Sequence, residues 1–196
     1  MIVMVTGGAR SGKSSFAEQW CMKHAPEACY IATAQAFDAE MEQRIALHRQ
    51  DRAVAGYGWE TIEEPLQLGD LLLELGSSQP EEAHANVGGA ASPAVLVDCL
   101  TLWLSNMLLA VGEKDNAESK IMTEIDQLLE AIKKYKGTLV IVTNEVGSGI
   151  VPAYALGRQY RDLAGILNRR VAAIADQVFL VTVGIPIELK SREYKL

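Results

Sequence analysis

A glycine-rich segment between an apolar strand and a helical pattern constrains this chain more than any other feature. Residues 7–14 read Gly-Gly-Ala-Arg-Ser-Gly-Lys-Ser and fit the pattern G-x-x-x-x-G-K-[ST]. Glycines let backbone N–H groups curl around phosphate oxygens without Cβ clashes, and the following helix N-terminus adds a partial positive charge. We expect Lys13 to reach the β- and γ-phosphates and Ser14 to offer its hydroxyl to Mg²⁺. The alternative is a glycine-rich turn that binds nothing. The predicted phosphate-binding residues are Gly8, Ala9, Arg10, Ser11, Gly12, Lys13, Ser14 and Ser15.

Short β-branched runs alternate with longer helical patterns along the rest of the chain. This alternation predicts an α/β fold with a mostly parallel sheet and helices on both faces. We predict strands over residues 2–5, 29–33, 94–98, 138–143, 177–183 and 186–190, and helices over residues 14–23, 38–52, 66–75, 101–111, 117–135 and 159–175. The helix over 117–135 carries an apolar stripe that we interpret as core packing. Residues 1–196 are expected to form one domain, with a mobile surface loop over residues 76–93 because that stretch is rich in Gly, Pro and charge.

Composition argues against nucleic-acid-binding, membrane-spanning and secreted proteins. The 196-residue chain is 49% hydrophobic, has a formal net charge of −7 and contains three cysteines, Cys21, Cys29 and Cys99. The acidic balance argues against a domain that binds nucleic acid through general attraction to its phosphates. No apolar run reaches the roughly 18 residues of a membrane span, and the first residues lack the basic start of a signal peptide. The cysteines show no close-pair spacing. We therefore expect a cytoplasmic protein with three ordinary thiols, no nucleic-acid partner and no membrane span.

Three polar residues follow buried strands, where α/β proteins place their ligand contacts. Asp98 ends one predicted strand and is a candidate for a second Mg²⁺ contact, with a helix N-cap as the alternative because a helix follows. Asn144 and Glu145 end the most hydrophobic strand and either sense the nucleotide or cap a turn. The residue types alone leave both choices open.

A histidine lies among arginines on the polar helix predicted over residues 38–52. Arg44 and Arg52 stand four residues either side of His48, and Arg49 is adjacent, so one helical face carries a cationic cluster. Such a cluster suits a triphosphate and lowers the pKa of the imidazole, which favours a neutral ring able to act as a nucleophile. A solvated polar face is the alternative interpretation on residue types alone.

Six sequence blocks together resemble one enzyme family. The blocks are VTGGARSGKSSFAE, YIATAQ, RIALHRQDR, WETIEEP, VLVDCLTLWLSNML and VTNEVGSGIVP. In this order they resemble the bifunctional adenosylcobinamide kinase / adenosylcobinamide-phosphate guanylyltransferase family of cobalamin biosynthesis, over essentially the whole chain. The phosphate loop is generic to many NTPases, whereas the histidine helix and the last block are more specific. The resemblance implies a P-loop NTPase with a RecA-like sheet that assembles as a homotrimer.

The resemblance also implies two reactions. In the first, ATP or GTP donates its γ-phosphate to adenosylcobinamide. In the second, a histidine that corresponds to His48 attacks the α-phosphorus of GTP, and the GMP passes to adenosylcobinamide phosphate. Lys13 is then a catalytic residue beside His48, and Mg²⁺ is held by Ser14 and Asp98. The nucleotide contacts implied beyond the phosphate loop are Ala34, Gln35, Ala36, Arg49, Gln50, Asp51, Arg52, Glu63 and Asp98.

Several assignments stay open at this stage. Glu63 can accept from the N1–H and N2–H₂ groups of guanine, or it is a solvent-facing acid in an acidic turn with Glu60 and Glu64. The group Trp103, Leu104, Met107 and Leu108 packs either internally or on a neighbouring subunit. The group Arg158, Tyr160, Arg161 and Asp162 either contacts the corrinoid or forms an ordinary solvated helix start.

Two other functions remain as alternatives. A P-loop kinase of another small alcohol needs no counterpart of His48, and cobinamide-dependent turnover distinguishes the two. A RecA-like nucleic-acid module is disfavoured by the net charge of −7.

Overall fold

Strands and helices alternate along most of the described chain, and the strands described form one seven-stranded sheet. The computed structural model describes residues 1–36, 39–54, 56–77, 93–112 and 116–195, without the side chains of Glu40, Arg44, His48, Asp51, Ala53 and Val54. The elements in chain order are β1 (Ile2–Gly7), α1 (Lys13–His24), β2 (Glu27–Ala32), α2 (Ala39–Val54), β3 (Gly58–Glu63), α3 (Leu68–Ser77), β4 (Ala94–Asp98), α4 (Leu100–Val111), α5 (Ala117–Lys134), β5 (Thr138–Asn144), α6 (Ala155–Ile174), β6 (Gln177–Thr182) and β7 (Ile185–Glu188), followed by a 3₁₀ turn (Lys190–Arg192).

The order of the strands across the sheet is β3-β2-β4-β5-β1-β6-β7. All neighbouring pairs are parallel except β6 with β7, which are antiparallel. The chain leaves β1 through α1 and returns at β2, on the far side of β4 and β5. Successive crossovers therefore place the carboxyl ends of β1, β2, β3, β4 and β5 along one edge of the sheet.

Helices cover both faces of the sheet because alternate residues of each strand point to opposite faces. On one face Ile31, Val97 and Ile141 pack with residues of α3, α4, α5 and α6 in the larger core. On the other face Val5 and Leu96 pack with residues of α1. The predicted α/β fold, with a mostly parallel sheet between two helical layers, is confirmed. The predicted α5 stripe is buried as expected, at Ile121, Ile125, Leu128, Leu129 and Ile132.

The apolar residues of α4 also belong to the core of this chain. Trp103, Leu104, Met107 and Leu108 are at most 8% exposed and pack internally, so the alternative that they form a subunit contact is wrong. All three cysteines are free, as expected, and the structure shows that they are also buried. In the part of the chain that the structure describes, no helix has the length and apolar character to cross a membrane.

Four element assignments from the sequence need correction. Residues 58–63 form a strand, β3, that the sequence analysis missed; it is an edge strand with most of its residues exposed, so it lacks the apolar signal of a buried strand. Helix α6 begins at Ala155, earlier than residue 159, and its N-cap Tyr154 makes no side-chain capping bond. Gly76 and Ser77 belong to α3 and not to the predicted loop, whose residues 78–92 lie outside the described residues. The last strand spans Ile185–Glu188 and not residues 186–190. Val183 lies outside β6, in a tight turn with Gly184 where both residues have positive φ.

Candidate functional site

The carboxyl edge of the sheet brings the predicted site residues together. Register alignments place Ala32 beside both Glu63 and Asp98. Asp98 in turn lies beside Val142, and Gly7 lies beside Asn144. In open α/β sheets ligands bind in the crevice outside this edge. The sheet thus gathers the phosphate loop, the Asp98 carboxylate and the Asn144 amide from three separate parts of the sequence.

The phosphate loop (residues 7–14) is held by backbone hydrogen bonds from the residues that follow β5 and β6. The N–H of Glu145 donates to the carbonyl of Gly7 at 3.0 Å, and the N–H of Gly184 donates to the carbonyl of Ser11 at 2.8 Å. A Cβ on Gly7 would collide with the carbonyl oxygen of Val181. Gly12 has φ +90° and is the N-cap of α1. These contacts leave the first turn of α1 facing the carboxyl edge, as an anion site at a helix N-terminus requires.

Lys13 lies at the start of α1 and is only 8% exposed. Its Nζ donates to the carbonyl of Gly8 at 3.1 Å, so the ammonium folds back over the phosphate loop. Ser14 is half-buried beside it, whereas Ala9, Arg10 and Ser15 are exposed. A buried cation over a loop of backbone N–H groups is an arrangement that binds phosphate.

The central pocket lies between the phosphate loop, the strand ends and α2. Its walls carry three cations, one carboxylate, two hydroxyls and one amide among apolar side chains, a composition typical of a site for a charged ligand. The lining residues are Lys13, Ser14, Tyr30, Ala32, Ala34, Met41, Ile45, Arg49, Arg52, Asp98, Cys99, Leu102 and Asn144.

Asp98 takes part in a buried polar chain that the sequence analysis did not anticipate. The Tyr30 hydroxyl donates to Asp98 Oδ2 at 2.9 Å, and the Arg52 guanidinium carbon lies 3.6 Å from the centre of the Tyr30 ring. Arg52 Nη1 is also 3.7 Å from Glu18 Oε1. Burial and the Asp98 carboxylate raise the pKa of the Tyr30 hydroxyl, which keeps it protonated as a donor. The N-cap of α4 is Cys99, so the alternative that Asp98 caps this helix is wrong.

Asn144 and Glu145, at the end of β5, take different roles: one caps a turn and the other faces the central pocket. Glu145 Oε1 accepts from the N–H of Gly147 at 2.7 Å and from that of Ser148 at 3.2 Å, so this carboxylate caps a turn. Asn144 lines the central pocket, and its buried Oδ1 has no hydrogen-bond partner. The carbonyl of Asn144 is fixed by Asn168 Nδ2 at 2.9 Å. Asn144 is therefore the member of the pair that a ligand can contact.

A lateral groove adjoins the central pocket across α2. Its lining includes Gln35, Ala36 and Glu63, and it shares Ala34 and Arg49 with the central pocket. Arg49 and Glu63 form an ion pair, with both side chains more than half exposed. Glu60 and Glu63 lie on β3, so the interpretation of this segment as an acidic turn is wrong. The predicted nucleotide contacts after β2 thus meet Arg49 and Glu63 in one groove.

His48 lies on α2, three residues after Ile45 and four before Arg52. Those two residues line the central pocket, and residues three and four apart share one helical face. The side chains of His48, Arg44 and Asp51 lie outside the described residues, as does Asp38, the predicted N-cap. Gln50 is exposed and does not line the central pocket or the lateral groove.

The donor set in the central pocket fits Mg²⁺. Ser14 and Asp98 offer one hydroxyl and one carboxylate in the lining of this pocket. Within the residues described here, no group of three His, Cys, Asp or Glu side chains is arranged to hold a metal ion. Mg²⁺ is commonly held by one or two protein oxygens together with substrate phosphates and water, so two oxygen donors beside a phosphate loop are sufficient.

The conspicuous polar residues of α6 are largely engaged with the protein itself. Arg158 donates to the carbonyls of Pro152 and Ala153, at 3.2 and 2.6 Å, and Arg161 donates to that of Gly147. The Tyr160 hydroxyl donates to the carbonyl of Thr101 at 3.2 Å. Arg158 and Asp162 also line a separate pocket between α4, α5 and α6. Contact of these residues with a corrinoid stays a prediction.

Comparison with known proteins gives matches over nearly the whole chain. The family model described as cobinamide kinase / cobinamide phosphate guanyltransferase matches residues 3–189. The bifunctional adenosylcobalamin biosynthesis protein CobU of Salmonella typhimurium is 38% identical over 198 residues, which cover 97% of this chain and 100% of that protein. The protein of the same name from Escherichia coli matches with the same identity and coverage. Bifunctional adenosylcobalamin biosynthesis protein CobP of Pseudomonas aeruginosa is 40% identical over 187 residues, covering 95% of this chain and 96% of that protein.

Proposed function

Because the chain belongs to the cobinamide kinase / cobinamide phosphate guanyltransferase family, we propose that it catalyses two successive reactions of cobalamin biosynthesis. It phosphorylates adenosylcobinamide with a nucleoside triphosphate, and it then transfers GMP from GTP to give adenosylcobinamide-GDP. The observation that carries this proposal is the central pocket, where the phosphate loop, Asp98 and α2 meet. One pocket of this kind serves both reactions, since each acts on a bound triphosphate.

The phosphate loop supplies the binding energy common to both steps. Lys13 and the backbone N–H groups at the start of α1 hold the β- and γ-phosphates, the part of the nucleotide that leaves as pyrophosphate in the second reaction. Mg²⁺ bound by Ser14 and Asp98 would spread the negative charge that develops on the phosphates. Asn144 lines the same pocket with an unpartnered buried oxygen. We assign it a contact with the nucleotide or with a hydroxyl group of the substrate.

His48 is the nucleophile of the second reaction in this proposal. A ring nitrogen attacks the α-phosphorus of GTP, an N–P bond forms, and the bond to the bridging oxygen breaks to release pyrophosphate. A phosphate oxygen of adenosylcobinamide phosphate then attacks the same phosphorus and frees the histidine. Support comes from the position of His48 on α2, between the pocket-lining residues Ile45 and Arg52. Arg49 and Arg52 place positive charge along the same helix.

The lateral groove is proposed as the guanine subsite. Its carboxylate, Glu63, pairs with the planar guanidinium of Arg49. The Watson–Crick edge of guanine presents N1–H and N2–H₂, a donor pair that a carboxylate accepts equally well. Ala34, Gln35 and Ala36 follow β2 and form the neighbouring wall, with Ala34 shared with the central pocket. Guanine in this groove therefore places the phosphates of GTP toward the phosphate loop.

We further propose a single-domain subunit that assembles as a homotrimer in the cytoplasm. The assembly is proposed because the sequence blocks resemble those of a trimeric family. The free, buried thiols fit a reducing compartment. Size-exclusion chromatography with light scattering measures the assembly directly.

Product analysis tests the proposed function. Purified protein is incubated with adenosylcobinamide, ATP, GTP and Mg²⁺, and the corrinoids are identified by mass spectrometry. The wild type is expected to form adenosylcobinamide-GDP, whereas His48→Ala accumulates adenosylcobinamide phosphate because γ-phosphoryl transfer needs no covalent histidine.

The matched control is His24→Ala. His24 lies at the far end of α1, about 16 Å along the helix from Lys13. Its ring stacks on Trp20 at 4.0 Å between ring centres. We expect this variant to make both products at the wild-type rate. An unmodified corrinoid with wild-type protein would refute the proposed function, and GDP product from His48→Ala at the wild-type rate would refute the nucleophile alone.

A further inference from the structure

Tyr30 connects two charged residues of the central pocket that come from different elements. It lies on β2 and is 5% exposed, with its ring among the residues of the smaller core. Its hydroxyl donates to Asp98 Oδ2 on β4 at 2.9 Å. The face of its ring supports the guanidinium of Arg52, which lies on α2 at 3.6 Å from the ring centre. A single phenol thus touches both an anion and a cation of the pocket.

We propose that Tyr30 is a positioning residue that fixes Asp98 and Arg52 relative to each other, so that the magnesium complex of a nucleoside triphosphate meets both in one arrangement. The inference rests on the proposed function for the identity of this ligand. Tyr30 belongs neither to the phosphate loop nor to the predicted nucleotide contacts, so this role is additional to theirs.

The hydrogen bond from Tyr30 orients the Asp98 carboxylate before a cation binds. Rotation about χ2 of an aspartate is broad and nearly unhindered, so a carboxylate without a partner samples many orientations. A phenol donor on one oxygen selects one of them. Partners of this kind commonly affect metal affinity by 10- to 100-fold when they are removed.

The ring acts separately on Arg52. The guanidinium is planar and stacks well on an aromatic face, which restricts a long side chain that otherwise has many rotamers. Glu18 on α1 is the nearby carboxylate, with its Oε1 3.7 Å from Arg52 Nη1. Arg52 is 6% exposed, so the structure holds this cation in place without a ligand. A cation that is already ordered loses less conformational freedom when a phosphate binds.

Tyr30→Phe separates the two contacts, because it removes the hydroxyl and keeps the ring. The measurement is the affinity for a fluorescent GTP analogue, titrated in Mg²⁺ and in EDTA. We expect Tyr30→Phe to weaken binding in Mg²⁺ at least about tenfold, and to change binding in EDTA less than about twofold. In an Asp98→Asn background the same substitution is expected to have little further effect, since the two residues act through one hydrogen bond.

Tyr57→Phe is the matched control. The Tyr57 hydroxyl donates to the carbonyl of Ala25 at 3.0 Å, so this substitution also removes one phenol hydrogen bond. Tyr57 does not line the central pocket, and its variant is expected to bind the analogue like the wild type under both conditions. Tyr30→Leu removes the ring as well, and in a folded variant we expect weaker binding in EDTA too because Arg52 has lost its support.

Equal losses in Mg²⁺ and EDTA for Tyr30→Phe would overturn the proposal, because a merely structural role moves both affinities together. Wild-type affinity in Mg²⁺ would overturn it too, as would a wild-type protein whose affinity is the same with and without Mg²⁺. These binding measurements require neither corrinoid nor a covalent intermediate. A protein that shows the expected split but forms no GMP adduct would uphold the role of Tyr30 and refute the role of His48.

Discussion

Substitution of Gly12 by alanine is a direct test of how the phosphate loop is built. Gly12 has φ +90°, a backbone conformation that L-residues rarely adopt, and it caps the N-terminus of α1. An added Cβ would also lie 3.3 Å from Gly184 Cα, in the turn between β6 and β7. That turn supports the loop through the bond from the Gly184 N–H to the Ser11 carbonyl, at 2.8 Å. Alanine at this position therefore strains the loop and pushes against its support.

The two costs can be estimated separately. A left-handed conformation costs a non-glycine residue roughly 1–2 kcal/mol. Overpacking against backbone adds about 1–3 kcal/mol, here near the lower end because the contact is only slightly too close. A total of about 2–4 kcal/mol lowers the Tm of a chain of this size by roughly 6–12 °C.

Thermal unfolding followed by circular dichroism measures this loss, with Gly8→Ala as the matched control. Gly8 belongs to the same loop, but a Cβ there meets no atom within 4 Å and its φ is not positive. Its Tm should change by no more than about 3 °C, the equivalent of about 1 kcal/mol. A Gly12→Ala protein that melts within about 2 °C of the wild type, the equivalent of less than about 1 kcal/mol, would show that Gly12 is not strained. An equal loss in Gly8→Ala would lead to the same conclusion.

Three further predictions concern other parts of the site and core. Lys13→Ala should lower both kinase and guanylyltransferase rates at least about a hundredfold because both use the same cation, and steady-state assays of each reaction measure this. Burial raises the pKa of Cys21 to about 12 and of Cys29 and Cys99 to about 11. Native protein should therefore resist alkylation at pH 8, and the stability that these protonated thiols contribute should be lost as pH rises from about 9 through 11–12, measured as urea midpoints against pH. Asn106→Ala should destabilise by about 2–4 kcal/mol, measured by urea unfolding, because it leaves the carbonyls of Thr33 and Pro65 without their buried donor.

Features encoded over a few neighbouring residues were predictable from the sequence. The phosphate loop is one such feature, because its glycines, Lys13 and Ser14 are adjacent in the chain and their chemistry depends little on the rest of the fold. The position of Asp98 at a strand end follows from the run of apolar residues before it. Parallel strands then bring such ends to one edge, so the general location of the site follows as well.

Features that depend on distant contacts were not predictable in the same way. Arg52 has the sequence context of a solvated helix face, yet it is buried because β2 brings the Tyr30 ring beneath it. Tyr30 itself lies in an ordinary strand pattern, and no local signal distinguishes it from a core aromatic residue. Its hydrogen bond to Asp98 spans 68 positions of the chain.

Two elements were missed or misplaced for related reasons. Strand β3 lies at the sheet edge, so few of its residues are buried and the sequence lacks the apolar pattern of an inner strand. Glu60 and Glu63 instead gave this segment the composition of an acidic turn. Helix α6 starts at Ala155 without a side-chain cap, so the usual start signal is missing. The choice between Asn144 and Glu145 also needed the structure, because only the fold shows that Glu145 reaches the N–H groups of Gly147 and Ser148.

Labelled GTP shows directly whether His48 carries GMP during the second reaction. Purified protein is incubated with Mg²⁺ and GTP labelled at either the α- or the γ-phosphate, then denatured and separated from free nucleotide. We expect the protein to retain label from the α position only, in a form that is stable in alkali, labile in acid and absent in His48→Ala. Protein that binds GTP but retains no label, or that retains it equally in His48→Ala, would show that His48 does not carry GMP.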